Sequence, residues 1–92
     1  MRITYDPRKR AETLELRQLD FEDAAQVFAG RTLEVTDDRR DYGEIRQQTV
    51  GRLAGRLVMV VWTERGVARH VISMRKCNER EAKIYIPRLD RS

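Results

Sequence analysis

The 92 residues, 40% hydrophobic and 37% charged with five Gly and two Pro, suffice for one domain with one modest core and read as compact rather than disordered. No apolar run approaches the roughly 18–20 residues a membrane span needs, and Met1-Arg2-Ile3-Thr4-Tyr5-Asp6 lacks a signal-peptide core, so a cytoplasmic protein without membrane contact is expected. The net charge of +4 rests on 19 basic residues, of which only Lys9, Lys76 and Lys83 are not Arg; Arg presents a planar, permanently charged fork suited to phosphate, although a GC-rich genome also inflates its count.

Met1 to Asp6 reads as a first strand. Asp6-Pro7 starts a helix, since Asp can cap and Pro fits the first helical position; Ala11, Leu14 and Leu16 give it an apolar side as far as Arg17. Asp20 caps a second helix in which Phe21, Ala24, Ala25 and Phe28 form an i, i+3, i+4, i+7 stripe, stopped by Gly30. Thr32 to Thr36 is a short strand, and Asp37 to Gly43 is a polar loop too charged to be buried. Ile45 to Arg52 is a strand closed by an Ala54-Gly55 hairpin turn. Leu57 to Trp62 is apolar on both faces, which marks a central strand. It enters a Thr63-Glu64-Arg65-Gly66 turn and pairs with Val67 to Met74. A last helix opens at Asn78 with Glu81 three residues on, a capping-box pair. The expectation is α+β: a twisted, mainly antiparallel sheet of about five strands, two N-terminal helices and one C-terminal helix, with the helices on one face.

Charge is unevenly distributed. Residues 1–41 carry eight basic side chains against ten acids, whereas Gly43 to Lys76 carries seven (Arg46, Arg52, Arg56, Arg65, Arg69, Arg75, Lys76) against Glu44 and Glu64 alone. A polyanion is therefore drawn to the second half. The single cysteine, Cys77, cannot close an internal disulfide and reads as a small hydrophobe. With one His and one Cys the chain offers no convincing metal-ligand set, and no cofactor is expected. Strand alternation groups His70 with Ala68, Ile72 and Met74, which reads as a packed, satisfied histidine rather than a general base.

What remains is an Arg-based phosphate site. RNA cleavage by its own 2′-hydroxyl needs the phosphate held in line, developing charge stabilised and protons moved. Arg65 and Arg75, at strand ends, are the candidate clamps, and Arg80 lies on the first turn of the last helix, where backbone N–H groups also favour anions. Glu64, Glu79 or Tyr85 could shuttle protons. Each arginine is equally explicable as a solvated surface residue or a contact for an acidic protein.

Asp20-Phe21-Glu22-Asp23-Ala24-Ala25-Gln26-Val27-Phe28, Asp38-Arg39-Arg40-Asp41-Tyr42-Gly43-Glu44-Ile45-Arg46, Val50-Gly51-Arg52, Val61-Trp62-Thr63-Glu64-Arg65-Gly66 and Val71-Ile72-Ser73-Met74-Arg75-Lys76-Cys77-Asn78-Glu79-Arg80-Glu81 resemble, in order and spacing, the motifs of the BrnT toxins. The resemblance implies a RelE/ParE-like fold and a metal-independent endoribonuclease toxin of a type II toxin–antitoxin pair. The implied partners are RNA and a BrnA-type antitoxin, with self-association inside a toxin–antitoxin tetramer. It points to Glu64, Arg65, Arg75, Arg80 and Tyr85 as catalytic, and the basic set Arg17, Arg46, Arg52, Arg69 and Lys76 is the expected RNA-binding surface. Alternatives are a non-catalytic antitoxin-binding module and a poison of a protein target such as gyrase. Leu16-Arg17-Gln18 stands where the family reads Lys-His-Gly, so Arg17 can bind phosphate but not act as a base. Loss of that Gly predicts a different path between the first two helices. Ile3-Thr4-Tyr5-Asp6 replaces an aromatic-rich Phe-x-Trp-Asp, a change expected in the core.

Overall fold

The computed structural model describes residues 2–37 and 43–91. Its elements run β1 (Arg2–Tyr5), α1 (Pro7–Arg17), a 3-10 turn (Phe21–Asp23), α2 (Ala24–Ala29), β2 (Thr32–Asp37), β3 (Arg46–Leu53), β4 (Arg56–Arg65), β5 (Ala68–Lys76) and α3 (Glu79–Arg91). They build the expected α+β architecture on one five-stranded sheet of order β1-β5-β4-β3-β2. β2 to β5 form an antiparallel meander, and β1 joins β5 in parallel. Among the described residues no helix is long and apolar enough to cross a membrane.

β4 is the middle strand, as its two-sided apolarity demands, but that same property places helices on both faces rather than one. Val58, Val60 and Trp62 point to the first face, where Phe21, Ala24 and Val27 cover them. Leu57 and Met59 point to the second, with Val50 and with Leu89 from α3. A strand buried on both sides needs cover on both sides, and one layer of helices could supply only half. Trp62 donates from Nε1 to Thr49 Oγ1 at 2.7 Å, so its indole is buried without leaving a polar atom unpaired.

The stripe on the second helix is shifted from the expected one. Asp20 caps a 3-10 turn, accepting from Glu22 N, before the α-helix begins. Three residues per turn put Phe21, Ala24 and Val27 in register toward the core. Ala25 is exposed, while Phe28 packs edge-on to Trp62 at 5.7 Å. Gly51 answers the close approach of this helix: a Cβ there would lie 2.9 Å from Val27 Cγ1 and 3.3 Å from the Arg31 carbonyl. Gly30 is extended rather than left-handed.

The connection after α1 keeps the left-handed path that its missing Gly was expected to abolish. Gln18 adopts φ 58, ψ 35 and its N–H donates to Leu14 O; Arg10, paired with Asp20 through contacts of 2.8 and 3.0 Å, ties the two sides of this turn together. α1 then lies along the part of the β5 edge that the short β1 leaves uncovered, and Arg17 Nη1 donates to Met74 O at 3.0 Å. A helix laid there occupies an edge that would otherwise invite another strand.

Two further boundaries differ from the sequence reading. Thr63, Glu64 and Arg65 belong to β4, and the turn is only Gly66 and Val67, with Gly66 at φ 60. Asp37 ends β2 and is buried, opposite Arg46 in the ladder, because strand pairing carries it inward despite its charged neighbours. The other residues of that expected loop up to Tyr42 lie outside the described residues. Ala54 and Gly55 form the β3–β4 hairpin with φ 50 and 78, as a two-residue turn requires.

Candidate functional site

The second face of the sheet is divided along its length. α3 covers the end formed by Val50, Leu57 and Met59; among the described residues, the end formed by Arg46, Thr63, Arg65 and His70 lies outside that packed cluster. Here lies a cleft of about 350 Å³, lined by Asp6 and Lys9 at the start of α1, Glu44 and Arg46 before and within β3, Arg65 on β4, and His70, Val71 and Ile72 on β5.

A break in strand alternation puts His70 in this cleft. Val61 pairs with Ser73 but Trp62 pairs with Val71, leaving Ile72 unopposed as a bulge. One extra residue reverses the facing of everything beyond it on that strand. Met74 and Val71 therefore share the first-face core, and His70, opposite Thr63 in the ladder, turns to the charged second face. The packed apolar setting expected for it is not what the structure shows. His70 is half-buried, its Nδ1 lies 2.8 Å from Thr4 Oγ1, and its pKa is pushed below the ordinary 6.5 by desolvation and then by the Arg65 charge, with Glu44 and Asp6 opposing. The imidazole is therefore neutral at pH 7.

Glu44 faces both arginines of the cleft. Glu44 lies 3.9 Å from Arg46 Nε and 3.8 Å from Arg65 Nη2, distances of charge attraction without a hydrogen bond. Thr63 Oγ1 donates to Ile45 O at 2.7 Å and fixes the segment that carries Glu44 against the end of β4. Lys9, Arg46 and Arg65 against Asp6 and Glu44 leave the cleft net positive with His70 neutral.

The other expected site residues lie elsewhere. Arg75 shares the second face but pairs with Met59, six residues along β4 from Arg65, about 20 Å at the rise of a strand. It is bound by Glu81 through contacts of 2.8 and 2.7 Å. Glu81 also accepts from Asn78 N at 3.0 Å while Asn78 Oδ1 accepts from Glu81 N at 2.8 Å, a complete capping box. Arg75 and the Asn78 N–H pull the Glu81 carboxyl down to a pKa of about 2. Arg80 is exposed on the first turn of α3, and Tyr85 packs against the second-face core. Cys77 packs there too, with its thiol pKa raised by burial. Glu64 sits opposite Arg69 on the first face, on the far side of the sheet from His70.

Of the expected RNA-binding set, only Arg46 lines the cleft. Arg69, half-buried, lies against Phe28 and Trp62, at 4.5 and 4.3 Å from their ring centres, and 3.7 Å from Glu34. Arg52 pairs with Asp90 of α3 at 2.9 Å. Arg17 lines a neighbouring groove that shares Lys9 and Ile72 with the cleft. Lys76 lies beside Arg56, Gln18 and Asp23 at the opposite end of the molecule. Lys9, Asp6 and His70 were missed; an ordinary strand pattern contains no signal for a bulge, and nothing local ties the first turn of α1 to β5.

One end of the second sheet face thus gathers three cations and an imidazole in one cleft, a set of groups chemically suited to an anion. The chain belongs to the BrnT family, described as a ribonuclease toxin of the type II toxin–antitoxin system, which it matches over residues 5–81. The match takes in every residue of the cleft and stops before most of α3, so Tyr85 lies beyond it. No curated protein matches the chain. Membership carries with it an RNA target and an antitoxin partner.

Proposed function

We propose that this toxin is a metal-independent endoribonuclease of the cytoplasm whose scissile phosphate binds in the cleft between α1, β3, β4 and β5. Arg65 and Arg46 are the phosphate clamps and Lys9 the third cation. The observation that supports this reading most is the loose hold of Glu44 on Arg65 at 3.8 Å: an RNA phosphate entering the cleft displaces one distant carboxylate and gains bidentate, charge-assisted hydrogen bonds in return. Guanidiniums fixed by strand backbone stabilise the charge that builds on the phosphoryl oxygens without reorganising. Arg75, engaged by Glu81, supports the strand–helix junction and does not hold the scissile group.

The neutralising partner is a BrnA-type antitoxin carrying an acidic segment that occupies the same cations and so excludes RNA. The test is direct. Purified protein in EDTA cleaves a fluorescent oligoribonucleotide, and addition of the antitoxin stops it. Folded protein that binds antitoxin but leaves RNA intact would make the chain an inert binding module instead.

A further inference from the structure

We infer that His70 is the general base of RNA cleavage in this chain, held in the required tautomer by Thr4. The inference rests on the ribonuclease reading of the cleft and adds the group that moves the proton.

Lys9, Arg46 and Arg65 can hold a phosphate, but ammonium and guanidinium groups have no lone pair to accept a proton at neutral pH. The carboxylates of Asp6 and Glu44 line the same space, but Asp6 caps α1, accepting from Arg8 N at 2.9 Å, and Glu44 is drawn to Arg46 and Arg65. His70 differs from all of them. It lines the cleft half-buried, and among the described residues its Nε2 has no hydrogen-bond partner, while Nδ1 meets Thr4 Oγ1 at 2.8 Å. A hydroxyl can serve as donor or acceptor; with Nδ1–H donating to the threonine oxygen, the lone pair of His70 is left on Nε2, of a ring that lines the cleft, and the base function requires that tautomer. Thr4 is a positioning residue, fixed beside His70 by the parallel β1–β5 register.

The step balances without another reagent. Nε2 takes the proton of the 2′-hydroxyl, and O2′ attacks phosphorus and forms the O2′–P bond. The P–O5′ bond breaks, and its electron pair leaves on O5′, which takes a proton from water. The imidazolium returns its proton to the hydroxide so formed. The product carries a 2′,3′-cyclic phosphate. The groups that face His70 are Thr4 on β1, Asp6 capping α1, Lys9 on α1, Glu44 and Arg46 at β3, and Arg65 on β4. Lys9 and Arg65 favour the neutral ring, and Asp6 and Glu44 oppose them.

His70 is the only histidine of the chain, so its imidazole titration can be followed by NMR without assignment. Expected for the wild type are an Nδ1–H tautomer in the nitrogen shifts and an imidazole pKa below 6.5. The acid limb of kcat/KM on a fluorescent oligoribonucleotide should coincide with that pKa, because kcat/KM reports the free enzyme. His70→Gln should lower kcat about 10²-fold at pH 7 and abolish the acid limb, with unchanged affinity for the non-cleavable 2′-deoxy oligonucleotide. Thr4→Val should lower kcat with little change in KM. Wild-type rates and an intact acid limb in His70→Gln overturn the inference, as does a loss of deoxy-oligonucleotide binding equal to the loss of rate. If His70→Gln does not fold, the wild-type comparison decides alone: an NMR pKa and a kinetic limb more than about half a unit apart refute the base. Wild-type protein that leaves RNA intact at every pH removes the ribonuclease reading and this inference with it; cleavage without His70 dependence removes only the inference.

Discussion

Two arginine clusters share the second face of the sheet, about 20 Å apart by strand rise, and they are in opposite states. At the α3 end, Arg75 and Glu81 make two short contacts, and Glu81 is also locked into a helix cap. At the open end, Glu44 stands 3.8 Å from Arg65, beyond hydrogen-bond distance. An arginine already satisfied by a bidentate carboxylate must break that pair to bind phosphate, whereas a loosely compensated one need only exchange a weak attraction for a strong one. The availability of a cation therefore depends on the geometry of its nearest acid and not on its charge.

The largest effect that separates the two clusters is on catalysis. Arg65→Ala is expected to lower kcat/KM for RNA by about 10²–10³-fold with an unchanged thermal melt, while Arg75→Ala leaves cleavage within a few-fold. Equal loss in both would erase the distinction. Next comes the stability of the third arrangement, in which the guanidinium lies against rings: Arg69→Ala should cost about 1–2 kcal/mol through the lost stack on Phe28 and Trp62, read as a lower Tm, with RNA affinity preserved.

Arg75→Ala should cost less, about 0.5–1 kcal/mol, since the pair is partly exposed and screened by solvent. Its counterpart is visible in pH. The folded-state pKa of Glu81 lies at about 2, below its ordinary 4.5, so the stability it contributes is present above about pH 4.5 and is lost as pH falls toward 2. Urea melts of wild type between pH 5 and pH 2 should show this loss, and Glu81→Gln should flatten that part of the profile. The smallest effect runs the other way: Glu44→Gln removes the acid nearest Arg65 and should tighten RNA binding a few-fold at low salt, by fluorescence anisotropy. Weaker binding in that variant would mean that Glu44 positions the arginines instead of competing for them.

Much of this molecule could be read from local chemistry. Asp6-Pro7 and Asn78 with Glu81 announce two helix starts, because capping involves residues two or three apart. Ala54-Gly55 announces a hairpin, and the apolar run from Leu57 to Trp62 announces the middle strand. The need for charge to reach water also directs attention correctly to the basic segment from Gly43 to Lys76, where Arg46 and Arg65 reside.

The site itself was only half legible. Its membership depends on which residues meet across the sheet, and the sequence grouped Arg65 with Arg75 and Arg80 as though strand ends were interchangeable. His70 shows why. Period-two alternation predicts its face from its neighbours, and the bulge at Ile72 cancels that prediction for every residue between it and the turn. Arg69 shows the converse, since two rings 34 residues apart in the chain come together to hold its guanidinium, a contact that charge pattern alone does not announce.

By itself, then, the sequence determined the elements, their order, the family and the sign of the surface, all of which follow from residues close along the chain. Only the tertiary structure decided that helices cover both faces, that Lys9 and His70 join Arg46 and Arg65, and that Arg75 is already occupied. Those outcomes are set by register and by side-chain distances across elements far apart in sequence, where one extra residue in a strand reverses a face and about an ångström separates a loose ion pair from a bidentate one.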